Sequence, residues 1–177
     1  MLRNWFGPKP EKKIGSSHYA AIVSAARQPA LYGENGVPDT MEGRFELIML
    51  HTALLIIVMR RADDDTAAAV SQATFDAMFD DFDAAMREMG VGDSGIGKKI
   101  RFMAEGFYGR AKNLDDALAS DDAKELQAFI ARNLLRSETD DPRVDRLALY
   151  VSSAVSALQQ QGPDELVQGA KPGFPRP

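Results

Sequence analysis

Leu47-Ile48-Met49-Leu50-His51-Thr52-Ala53-Leu54-Leu55-Ile56-Ile57-Val58-Met59 is the most apolar run of the chain, and its reading decides the fold. The run falls short of the roughly 20 residues needed to cross a bilayer. Arg44 and Glu46 precede it and Arg60-Arg61 follow it, and all of these charges have to stay wet. Its apolar side chains point almost all the way round a helix, which marks a helix enclosed by others. Upstream, Asp39 and Glu42 have capping-box spacing, so the helix is expected to start there and run to about Arg61. The flanking sequence has helical spacing and no convincing period-2 strand. The expected fold is all-α: a single compact domain of about six to seven helices around a central hydrophobic helix.

Working outward, residues 1–15 carry Pro8, Pro10 and several lysines and read as a flexible N-terminal arm. A first helix is expected from Ser16 or Ser17, carrying Tyr19, Ile22, Val23 and Ala26 and stopped by Pro29. Residues 33–38 are rich in turn formers and read as a loop. Asp63-Asp64-Asp65 opens a third helix, where carboxylates suit the positive end of the dipole. One face of it holds Phe75, Met78, Phe79, Phe82, Met86 and Met89, another holds Asp76, Asp80 and Asp83, and Gly90 ends it.

Asp93 is expected to cap a fourth helix with Ile96, Ile100, Met103, Ala104 and Phe107 inside and Lys98, Lys99 and Arg101 outside. An acidic helix joined by a short turn to a basic one reads as an antiparallel hairpin with matched charge. Helical segments recur at about 113–119, 121–136 and 142–160. Ser120 is expected to cap the second of these, and Asp141-Pro142 to open the third. From Gly162 the chain reads as a flexible tail. The expected division is an arm at 1–15, a helical domain at 16–161 and a tail at 162–177.

Bulk properties bound the function. The chain has 177 residues, enough for one domain with a real core. Its net charge of −5 argues against direct nucleic-acid binding. With no cysteine, disulfides, thiolate metal sites and a cysteine nucleophile are excluded. No secretory signal is visible, and a cytoplasmic location is expected, with peripheral contact at the inner face of the membrane in view. Trp5 and Phe6, with nearby lysines, make too short a segment to bind a membrane strongly alone.

Each catalytic or cofactor motif lacks a required part. Gly90, Gly92 and Gly95 match G-x-G-x-x-G, but a helix pattern precedes them where a dinucleotide site needs a strand. Gly92 to Lys98 match most of a Walker loop, but Lys99 stands where a serine or threonine must hold magnesium. The turn reads as a helix–helix corner, with an anion- or nucleotide-binding role for Gly90–Lys98 as the minor alternative. Asp76, Asp80 and Asp83 share a face, yet neither His18 nor His51 completes a Glu-x-x-His pair, so no metal is expected. His51 lies among apolar residues without a nucleophile pattern and reads as a buried structural histidine. No cofactor and no enzymatic activity are expected.

Three stretches together carry a family resemblance. The first is Gly36-Val37-Pro38-Asp39-Thr40, with Gly43-Arg44-Phe45-Glu46 and Leu50-His51. The second is Asp80-Asp81-Phe82-Asp83, with Arg87-Glu88-Met89-Gly90-Val91-Gly92-Asp93. The third is Lys98-Lys99-Ile100, Met103-Ala104 and Phe107-Tyr108-Gly109-Arg110. In this order and spacing, across roughly residues 16 to 136, the chain resembles the ubiquinol–cytochrome c chaperone family. The helix at 142–160 lies outside that stretch.

The resemblance implies an assembly factor for the cytochrome bc1 complex, a helical protein that binds cytochrome b or another subunit. Mitochondrial members work with a small partner protein and associate with the ribosome. They carry a targeting extension not seen here, so the resemblance points to a bacterial-type member. The expected client site is a cleft lined by Met and Phe between the 36–44 loop and the 90–97 turn. Asp39, Arg44, Glu46, His51, Asp93, Tyr108 and Arg110 are the residues expected to shape it. The competing reading is a stable scaffolding subunit of a respiratory complex.

Overall fold

The computed structural model describes residues 9–62, 64–90 and 92–177. The expectations for residues 1–8, Trp5 and Phe6 among them, and for Asp63 and Val91 lie outside these.

The central helix is α2, Met41–Met59. Between Leu47 and Met59 every residue but Ile56 is buried, as all-round hydrophobicity requires. It touches α1 (Pro10–Ala26), α3 (Asp65–Glu88), α4 (Asp93–Ala119), α6 (Pro142–Gln161) and α7 (Pro163–Val167). Its cap is Thr40, not Asp39: the Thr40 hydroxyl accepts from the Gly43 N–H at 3.1 Å. Asp39 sits one residue too early for that bond and pairs with Arg44 instead.

Helix α1 starts at Pro10, six residues before the expected Ser16, with proline at a first-turn position that needs no N–H donor. Residues 10–15 therefore belong to the helical body. Gly15 lies against α3 so closely that a Cβ there would come within 2.6 Å of the Ala73 backbone. Only glycine permits that approach.

Helix α3 is capped by the Asp64 side chain, which accepts from Ala67 N–H at 2.6 Å. It ends at Gly90, whose φ of +77° is the left-handed conformation of a helix stop. Helix α4 then returns as the second arm of a hairpin. Asp93 is its first residue rather than its cap, a place taken by Gly92. The matched-charge expectation fails along the length of this hairpin. Among the described residues no ion pair joins Asp76, Asp80 or Asp83 to Lys98, Lys99 or Arg101; the closure is made by Arg87, which binds both Asp83 and Asp93. Aromatic packing of Phe75 on Phe107 holds the arms further along.

Helix α4 runs unbroken to Ala119, so the segment expected at 113–119 is its end and not a separate helix. Helix α5 (Ala123–Ile130) is capped by Asp122, while Ser120 ends α4. A π-helical turn at Ala131–Leu135 completes the expected 121–136 segment. Helix α6 starts as read: Asp141 accepts from Arg143 N–H, and Pro142 follows.

The expected tail from Gly162 is instead packed on the body. Leu166 and Val167 of α7 are buried, and Phe174 lies edge-on to His51 with ring centroids 5.0 Å apart. The Gln161 amide fixes the return by bonding the Lys171 carbonyl and the Gly173 N–H.

Candidate functional site

A groove of about 400 Å³ opens where the start of α2 meets the α3–α4 corner. Helical spacing builds its walls. Met41, Phe45 and Met49 are four residues apart and form one column on α2; Glu42 and Glu46 form the next. The end of α3 adds Met86 and Met89, and α4 adds Lys99, Phe102, Met103 and Arg110. Phe45 rests on buried Phe82 at a centroid distance of 4.4 Å, so the floor is continuous with the core.

The rim is open and carries large apolar side chains among charged ones. Phe102 is 76% exposed, Met89 46% and Met41 40%. Large exposed apolar side chains gathered at one mouth mark an interaction surface, whereas single ones scattered over a protein do not. Thioether side chains repack against varied apolar shapes at little cost.

One ion pair crosses the groove wall. Arg110 of α4 donates to the Glu46 carboxylate of α2 at 2.5 Å, with both side chains mostly buried. Arg136 closes the far end in a left-handed backbone conformation, φ 51° and ψ 43°. That region is rare for a residue with a long side chain. It ends the π-helical turn and brings Arg136 to the groove.

Of the residues singled out in the sequence, Glu46 and Arg110 come together in this wall. Asp39 and Arg44 form an exposed pair at 2.8 Å just before and within α2. The Arg44 hydrogen bond holds the Asp39 carboxyl below its usual range. Asp93 is exposed and tied to Arg87 at the hairpin turn. Tyr108 is 56% exposed and stacks on Phe75 at 5.2 Å, outside the groove lining.

His51 is buried in the core, as its apolar setting indicates. Nδ1 lies 2.7 Å from the Leu47 carbonyl and must donate to it, so Nε2 accepts from the Tyr150 hydroxyl at 2.6 Å. Burial pushes its pKa down to about 4, against a smaller opposing pull from the Leu47 carbonyl. It is a neutral, fully buried residue packed against Phe174.

Sequence reasoning missed Phe102, Met41 and Arg136. Phe102 left a usable signal, since around the helix it falls between Lys98 and Lys99 on the polar side of α4 rather than on the Ile96–Ile100–Phe107 stripe. Among the described residues, no group of three His, Cys, Asp or Glu side chains could hold a metal ion. No described helix is long and apolar enough to cross a membrane.

The profile of the ubiquinol-cytochrome C chaperone family matches residues 34–172. The chain belongs to this family. It is an all-α member of a family of assembly factors for the bc1 complex. A frog relative, ubiquinol-cytochrome-c reductase complex assembly factor 1 of Xenopus laevis, is 27% identical over 153 residues, covering 85% of this chain and 76% of the relative. The crystal structure of the Cbp3 homolog from Brucella abortus superposes with a TM-score of 0.82 at 32% identity, covering 94% of this chain and 91% of that one. The family match begins at residue 34, later than the residue 16 read from sequence, and runs beyond residue 136 to take in α6 and most of the C-terminal segment. The groove, built from α2, α3, α4 and Arg136, lies wholly within the chaperone family match.

Proposed function

We propose that this chaperone-family chain holds an apolar segment of cytochrome b, before the subunit joins the bc1 complex, in the groove at the start of α2. One observation carries the reading: a groove lined by five methionine and two phenylalanine side chains stays open to solvent, with Phe102, Met89 and Met41 exposed at its mouth. A multi-span subunit before packing exposes apolar helix faces, and adaptable thioethers fit such faces without demanding one shape. Glu46 and Arg110 fix the spacing of α2 and α4 and so the width of the groove. The protein acts by binding and not by catalysis, and any small partner protein would dock elsewhere on the surface.

The test is genetic and biochemical. Deletion of the gene is expected to lower assembled bc1 complex and cytochrome b together. Restoration by the wild-type chain but not by Met41→Asp would tie the defect to the groove. Normal levels of both in the deletion strain would end the reading. Persistence of the chain in the mature complex would replace it with that of a scaffolding subunit.

A further inference from the structure

The start of α4 carries an arrangement that an apolar client alone does not call for. Residues 95–104 hold Lys98, Lys99 and Arg101 and no carboxylate, in a chain whose net charge is −5. All three cations are exposed, and none forms an ion pair among the described residues. Phe102 stands among them, the most exposed of the large hydrophobic side chains among the described residues, with Met89 beside the same corner. The nearest carboxylates on α4 are Asp93, already held by Arg87, and Glu105, exposed one turn further on. On this face of α4 three cations thus stand against one carboxylate, Glu105, around a projecting aromatic ring.

We propose that this α3–α4 corner is a membrane-docking element that seats on an anionic lipid surface. Lys98, Lys99 and Arg101 meet the headgroups while Phe102 enters the acyl boundary. Charge complementarity selects the occupant: unpaired cations ringing an apolar anchor fit an anionic bilayer, where neither signal alone gives stable attachment. Each cation near an anionic surface adds on the order of fivefold to partitioning, so the three together add about a hundredfold. The inference rests on the groove reading in one respect: the corner also forms a groove wall, through Lys99 and Phe102, and so sets the groove mouth beside the bilayer.

The purified full chain is sedimented with vesicles of phosphatidylglycerol and phosphatidylcholine in equal parts, and with phosphatidylcholine alone. Binding to the anionic vesicles is expected, and it should weaken as salt is added. Reversing two charges, Lys98→Glu with Arg101→Glu, should lower partitioning more than about a hundredfold by turning two attractions into repulsions. Phe102→Ser should lower it roughly tenfold, with circular dichroism unchanged in both variants. Failure of the wild-type chain to sediment with anionic vesicles at low salt, or unchanged sedimentation after the double reversal, would overturn the proposal. Lys98 and Arg101 do not line the groove, and Met41 lies outside the corner. The reversed variant should therefore still capture cytochrome b in detergent, and Met41→Asp should lose cytochrome b while keeping vesicles. Loss of capture and loss of vesicle binding are read separately.

Discussion

One helix serves two opposite purposes along its length. The second half of α2, from Leu50 to Met59, is enclosed, and its polar groups are paired: His51 with Leu47 and Tyr150, Thr52 with Ile48. The first half faces a groove where Met41 is 40% exposed and Phe45 is half-buried. Both halves are rich in apolar side chains. They differ in what covers them, since Tyr150 of α6 and Phe174 close over His51 in the second half, while α3, α4 and Arg136 border the first and leave it open. Covered apolar surface stabilises the fold, and uncovered apolar surface is held available for a partner.

The contrast is sharpest in stability. Leu54 is fully buried in the closed half, and Leu54→Ala should cost about 3 kcal/mol in urea denaturation through lost burial and a cavity. A comparable loss should follow acidification. His51 titrates near 6.5 in the unfolded chain and near 4 in the fold, so the unfolded state binds more protons between those values. Its contribution is complete above pH 6.5 and is lost as pH falls towards 4, about 3 kcal/mol in all. The stability gap between wild type and His51→Gln should shrink by about that amount over the window. Desolvation also lowers the pKa of His18, which is buried and whose Nε2 bonds the Ala170 carbonyl, so acid loosens the C-terminal segment at a second point in the same direction.

The boundary between the halves is the Glu46–Arg110 pair. Removing either side chain leaves the other charge mostly buried, so Glu46→Ala or Arg110→Ala should cost roughly 1–2 kcal/mol. A double-mutant cycle should show coupling, because the two groups meet directly. At the open rim the expected effect on stability is smallest. Met89→Asp and Phe102→Asp should change unfolding free energy by no more than about 0.5 kcal/mol while weakening client capture. A large destabilisation by either would mean that the rim belongs to the core.

The closed half was the more legible in the sequence. All-round hydrophobicity from Leu47 to Met59 places a helix at the centre whatever its neighbours, and Asp141-Pro142 opens α6 by local chemistry alone. Errors fell where local signals compete. Asp39 and Thr40 are both good caps, and the chain geometry chose the second. Lysines at 9, 12 and 13 read as an arm, yet Pro10 begins a helix that packs against α3. Residues 163–174 look like a tail because two of their anchoring partners, His18 and His51, are remote in sequence. The open half was visible as an inventory of Met and Phe but not as a groove. Periodicity separates inside from outside on one helix and cannot say which outsides remain uncovered after three helices meet. The Arg136 conformation had no sequence signal, being non-glycine at positive φ.

Crosslinking in vivo tests the central claim most directly, with a photoreactive side chain placed at Met41 in the groove or at Leu149 on α6. Both positions carry exposed large hydrophobics, 40% and 71%, but Leu149 is not part of the groove lining. A crosslink to newly made cytochrome b is expected from Met41 and none from Leu149. Capture from Leu149 alone, or from neither position, would contradict it.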